Sequence, residues 1–168
     1  LYGGTFNLLN VTLPRLDIHT SFVDADNPEN FRVAIKENTK AIYIESLGNP
    51  KLDVLDIESI AAIAKENKIP LIVDNTVATP SLLNPIKYGA NIVIHSLTKF
   101  IGGQGTSLGG VVIDAGTFDW ASGKFPEFTE PSKGYHGLKY SEALGEIAFI
   151  VKLRIEGLRD LGAAPSPY

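Results

Sequence analysis

Apolar and polar residues follow two different periods along this chain, and the switches between them mark out alternating strands and helices. Period-two alternation over residues 18–23 predicts a strand that ends in a turn at Asp24, Ala25 and Asp26. Helical spacing then takes over. Asn27 stands where a cap is wanted, Pro28 and Glu29 suit a first turn, and Phe31, Ala34 and Ile35 share one face. A second strand is predicted over 41–46. Asp56 reads as the cap of a helix that places Ile57, Ile60, Ala61 and Ala64 at i, i+3, i+4 and i+7. Residues 71–73 and 92–94 are short, unbroken apolar runs, the pattern of parallel strands buried on both faces. One more strand is predicted over 109–113. Residues 115–133 show neither period and are punctuated by Gly and Pro, which predicts a loop. Residues 141–161 predict a long helix with Leu144, Ile147, Ala148, Val151, Ile155 and Leu158 on one face, closed by Gly162.

Strand–helix alternation of this kind implies an α/β fold with a doubly wound, mostly parallel sheet. Such sheets bind ligands beyond the carboxyl ends of their strands. Glu45, Asp74 and Ser96 all stand at strand ends, so topology alone brings them to one edge. Composition adds limits. The 168 residues suffice for one domain with a real core. A net charge of −4, with Lys and Arg dispersed, lacks the basic footprint of a nucleic-acid binder. No apolar run approaches the ~18 residues of a membrane-spanning helix. The absence of cysteine removes disulfides and thiolate metal sites and suits a cytoplasmic protein. His19, His95 and His136 show no metal-ligand spacing and read as structural. The chain opens on Leu rather than Met, which gives the expectation of a piece of a longer protein.

Two of the apolar runs end in chemistry. Leu71, Ile72 and Val73 lead into Asp74; Ile92, Val93 and Ile94 lead into His95, Ser96, Leu97, Thr98 and Lys99. An enzyme that uses pyridoxal phosphate needs a lysine amine for the Schiff base and an acid facing the pyridine nitrogen. Lys99 would hold the cofactor and then act as base on the substrate Cα proton. Asp74 would keep the ring nitrogen protonated, and the hydroxyls of Ser96 and Thr98 lie close enough to serve the phosphate. Asn49 could donate its amide to the cofactor's ring oxygen, although Gly48-Asn49-Pro50 reads equally as a turn. Tyr2, ahead of Gly3 and Gly4, could stack on the ring. Gly102, Gly103, Gln104 and Gly105 match neither the dinucleotide fingerprint nor the P-loop, which argues against a nucleotide site.

Four ordered motifs carry a resemblance: Leu1-Tyr2-Gly3-Gly4-Thr5, Glu45-Ser46-Leu47-Gly48-Asn49-Pro50, Val73-Asp74-Asn75-Thr76 and His95-Ser96-Leu97-Thr98-Lys99-Phe100. Together they resemble the Cys/Met-metabolism family of pyridoxal-phosphate enzymes, the transsulfuration and sulfhydrylation enzymes of fold type I. The wording at 46–51, at 102–107 and at 131–138 is most similar to the O-acetylhomoserine sulfhydrylase branch. The resemblance implies a three-layer large domain with helices on both faces of the sheet. Residues 1–168 would be its central part, with an N-terminal arm upstream and the 141–161 helix leading toward a C-terminal domain. It implies Lys99 as the Schiff-base lysine, Asp74 as the ring-nitrogen partner, Tyr2 as the stacking tyrosine, Ser96 and Thr98 as phosphate ligands, and Asn49 as partner of the phenolic oxygen. The implied reaction replaces the acetoxy group of O-acetylhomoserine with sulfide or methanethiol, giving homocysteine or methionine and acetate. The implied assembly is a homotetramer that takes small amino-acid substrates and a thiol, not nucleic acid or membrane. The alternatives are a cystathionine γ-synthase, a methionine γ-lyase, or an inactive cofactor-domain remnant. Gln104 departs from the histidine usual in this branch, and Val77 stands where an aromatic is common.

Overall fold

A computed structural model describes residues 1–165. In chain order the elements are α1 (Gly3–Asn7), α2 (Glu29–Ala34), β1 (Ile42–Glu45), α3 (Ile57–Glu66), β2 (Leu71–Asp74), α4 (Thr79–Leu82), β3 (Ile92–Ser96), β4 (Gly110–Asp114), α5 (Pro126–Thr129), α6 (Tyr140–Leu144) and α7 (Ala148–Lys152). The strands lie in sequential order, with β1, β2 and β3 parallel and β4 antiparallel to β3. The sheet is thus mixed but mostly parallel.

Side chains of the strands alternate between two cores, which makes the layers. Ile42, Ile44, Leu71, Val73 and Val93 pack with Phe31 of α2 and with Ile57, Ile60, Ala61, Ile63 and Ala64 of α3. Ile72, Ile92, Ile94 and Val112 face the other way. They meet Trp120, Phe125, Phe128, Tyr140 and Ala148 of the loop and helices that follow β4. The predicted cap of α3 is present: Asp56 accepts from the Ser59 amide at 3.1 Å and from its hydroxyl at 2.6 Å.

Three expectations need correction. Residues 18–23 form no strand. Ile18 and Phe22 stay exposed, Phe22 touches Phe6 at 5.0 Å between ring centroids and Val23 packs against the first core, so this short alternation marks neither a buried face nor a ladder partner. Residues 115–133 are not loop alone, because Pro126–Thr129 is helical and Phe118, Trp120, Phe125 and Phe128 form an aromatic cluster. Trp120 stacks on Phe149 at 4.9 Å and 8° and on Phe128 at 4.5 Å. An irregular backbone can bury aromatics with no period to reveal it.

The long helix over 141–161 is interrupted. Gly145 adopts φ 52° and ψ −123°, a conformation that side chains with a Cβ rarely reach, so α6 ends at Leu144 and α7 starts afresh at Ala148. Beyond Lys152 the turns widen over Leu153–Arg159. Ile147 and Leu158, placed on the buried face by their spacing, are 54% and 39% exposed. The break rotates the face, so Tyr140 and Ala148 are the residues driven fully inside. Residues 166–168, in the expected link toward a further domain, lie outside the described residues.

Candidate active site

Parallel register aligns the strand ends. Glu45 of β1 pairs with Asp74 of β2, and Asp74 pairs with Ile94, two residues before Ser96 of β3. These ends open into a cleft of about 190 Å³ lined by Tyr2, Glu45, Leu47, Asn49, Asp74, Thr76, Val77, Ser96, Lys99 and Phe100. Five of the six expected site residues therefore meet there, from four stretches far apart in sequence.

Lys99 sits just beyond β3, in a wide turn at Leu97–Ile101 that its own dihedrals interrupt (φ −92°, ψ −121°). Its amine lies 5.7 Å from the centroid of the Tyr2 ring, within reach of a cation–π contact. Tyr2 is held by its backbone, whose N–H donates to Glu45 Oε1 at 2.6 Å. The Asn49 N–H donates to the other oxygen of the same carboxylate at 3.4 Å. Glu45, only 7% exposed, thus fixes the chain on both flanks of the cleft. Glu45 was legible as a strand-end acid; its tie to Tyr2 was not, since 43 residues separate them.

Asp74 is the most constrained carboxylate of the cleft. Its Oδ1 accepts from the Thr76 amide at 2.9 Å and the Thr76 hydroxyl at 2.6 Å, and its Oδ2 accepts from the Tyr43 hydroxyl at 3.1 Å. Burial first, and then the charge of Asp74, push the Tyr43 phenol well above its ordinary value, so it stays protonated and donates. A carboxylate has about four acceptor positions. Among the described residues three donors reach Asp74, which leaves one position for a donor in the cleft.

Thr98 is the expected residue that the structure does not bring into the cleft. Its hydroxyl accepts from the Gly109 amide at 3.0 Å and so locks the lysine turn to the start of β4. Gln104 is also not among the lining residues.

Sequence reasoning missed Tyr43 and Thr76. The signal for Thr76 was available, because Asp-x-Thr is a turn in which the acid caps the backbone two residues on. Tyr43 needed the β1–β2 register, which no local pattern carries. Asn75, quoted above only within its motif, has a structural part of its own. It is fully buried, and its side chain accepts from the Ser46 hydroxyl at 2.7 Å and donates to the Thr79 and Leu83 carbonyls at 3.1 and 2.9 Å. Its own carbonyl meets His95 Nδ1 at 3.0 Å, and since a carbonyl only accepts, that nitrogen carries the proton. The buried His95 side chain is thus tied to the backbone beyond β2, and the cleft-facing residues on either side of Asn75 are anchored from behind.

The family model described as Cys/Met metabolism PLP-dependent enzyme matches residues 1–168. O-acetyl-L-homoserine sulfhydrylase of Leptospira meyeri is 56% identical over all of this chain and 40% of its own length. The homocysteine/cysteine synthase of Saccharomyces cerevisiae is 50% identical over all of the chain and 38% of its own. Among solved structures, one assigned as an O-acetylhomoserine (thiol)-lyase from Campylobacter jejuni superposes with a TM-score of 0.94. It is 42% identical and covers 99% of this chain, which covers 41% of it, and it carries a pyridoxyl-lysine phosphate. The chain spans about 40% of the length of the curated relatives it matches.

Proposed function

Because this chain belongs to the Cys/Met metabolism family of PLP-dependent enzymes, we propose that its cleft binds pyridoxal phosphate and serves γ-substitution on O-acetylhomoserine. The acetoxy group leaves, sulfide or methanethiol replaces it, and homocysteine or methionine forms with acetate. The observation that carries this reading is the convergence of Tyr2, Asn49, Asp74, Ser96 and Lys99 on one cleft, with an acceptor position on Asp74 that no donor among the described residues fills. That remaining position suits the protonated ring nitrogen. When bound, the cofactor supplies an electron-poor ring that eases removal of a proton beside the substrate nitrogen.

The rest belongs to the chain. Lys99 holds the cofactor covalently and, once displaced by substrate, takes the proton at Cα and works again at Cβ so that the bond from Cγ to the acetoxy oxygen can break. Tyr2 covers one ring face and stands close enough to Lys99 to assist it. Ser96 offers its hydroxyl to the phosphate and Asn49 its amide to the phenolic oxygen. Thr98 serves the phosphate only if its hydroxyl turns from Gly109. The full-length enzyme is then a homo-oligomer of the cytoplasm, and the cysteine-free composition suits that compartment.

Borohydride reduction of the cofactor-loaded full-length protein should fix the label on the peptide that contains Lys99. Lys99→Ala should lose turnover with its melting temperature little changed. Label on Lys87 or Lys124 would overturn the assignment. Supplying O-acetylhomoserine with sulfide, then with cysteine, and then methionine alone identifies the substrate: preference for cysteine, or methanethiol release from methionine, would refute the proposed reaction.

A further inference from the structure

We propose that Thr76 is a positioning residue whose hydroxyl couples the Asp74 carboxylate to the backbone at Ser96, holding the two ends of the cofactor site in one fixed relation. The inference rests on reading this cleft as the pyridoxal-phosphate site.

The direction of the coupling follows from donor chemistry. The Ser96 amide lies 2.8 Å from Thr76 Oγ1, and an amide N–H can only donate, so the hydroxyl oxygen accepts there. The hydroxyl proton is then left for Asp74 Oδ1 at 2.6 Å, a distance typical of O–H donating to a charged oxygen. The Thr76 amide reaches the same oxygen at 2.9 Å. One residue thus grips Oδ1 twice while Tyr43 holds Oδ2 at 3.1 Å. A carboxylate pinned on both oxygens cannot turn without losing a bond. The link also crosses from β2 to β3. The amide that completes it belongs to Ser96, assigned to the phosphate, while Asp74 is assigned to the ring nitrogen at the opposite end. Thr76 itself lines the cleft, so the coupling runs along the wall of the site.

Valine has threonine's shape without the hydroxyl. In full-length Thr76→Val the Asp74 oxygen loses a donor and the Ser96 amide loses its acceptor, and cofactor affinity should fall about tenfold, the worth of one hydrogen bond to a charged group. At saturating pyridoxal phosphate the visible-band circular dichroism should weaken, because the ring is less rigidly oriented. Thr76→Ser keeps the hydroxyl and should restore both readings. If Thr76→Val does not fold, Thr76→Ala against Thr76→Ser makes the same comparison. Unchanged affinity and dichroism on loss of the hydroxyl would overturn the proposal, as would a serine variant that behaves like valine. A wild-type protein that takes no label on Lys99 would refute the site reading instead, so the two failures are distinguishable.

Discussion

Asp74→Asn separates the charge of this carboxylate from its bonds. Thr76 presents two donors to Oδ1, at 2.9 and 2.6 Å, so the amide of asparagine must place its oxygen there. Its NH2 group then occupies the Oδ2 position, 3.1 Å from the Tyr43 oxygen, which accepts as readily as it donates. Each bond has a replacement, and the cost to stability should stay within about 1 kcal/mol. What disappears is the negative charge facing the ring nitrogen. The rate should drop by ~10²-fold or more, about 2.7 kcal/mol of transition-state stabilisation. Asp74→Ala behaves differently. It leaves the two Thr76 donors and the Tyr43 hydroxyl without their acceptor, at about 1–3 kcal/mol for each that water cannot reach. The assay is kcat with O-acetylhomoserine and sulfide at saturating cofactor, alongside melting temperature. The asparagine variant should keep its melting temperature and lose rate, and the alanine variant should lose both. A near-normal rate in Asp74→Asn, or a melting temperature as low as that of Asp74→Ala, would refute the reasoning.

Two predictions concern the scaffold. Ser59 holds the Asp56 carboxyl below the ordinary aspartate value of 3.8, so the cap stabilises the fold above that pH and the contribution is lost as pH falls through the lowered value. Asp56→Ala should cost about 1 kcal/mol at neutral pH, with the deficit shrinking toward acid, whereas Asp56→Asn should match wild type near pH ~7 and not change across that window, as read by melting temperature against pH. At Gly145 an added Cβ meets nothing within 4 Å among the described residues, so Gly145→Ala tests the backbone. A cost of about 1–3 kcal/mol is expected from the φ of 52°; an unchanged melting temperature would show that the break between α6 and α7 does not depend on glycine.

How much of this was legible in the sequence depends on the range over which each feature is determined. Asp56 and the apolar positions of α3 were readable because a cap and a 3.6-residue period are properties of about ten neighbouring residues. Unbroken β-branched runs announced β2 and β3 for a similar reason: burial on both faces leaves a continuous apolar trace. The same reasoning failed over 18–23, where a six-residue alternation arises with neither a strand partner nor a buried face. It failed again at Gly145, where apolar spacing persists through a break that only the dihedral reveals. The site divides along the same line. Lys99, Asp74 and Ser96 could be placed from strand ends and residue chemistry, because parallel topology sends those ends to one edge. The bonds that aim them could not. Glu45 reaches Tyr2 across 43 residues, Tyr43 reaches Asp74 across 31, and Thr76 reaches the Ser96 amide across 20. Each such contact requires the register of a neighbouring strand or the path of a returning loop. The reacting groups are thus written locally and their orientation is written in the fold, and substitutions at Glu45, Tyr43 or Thr76 should alter how the site holds its ligand before they alter what it can do.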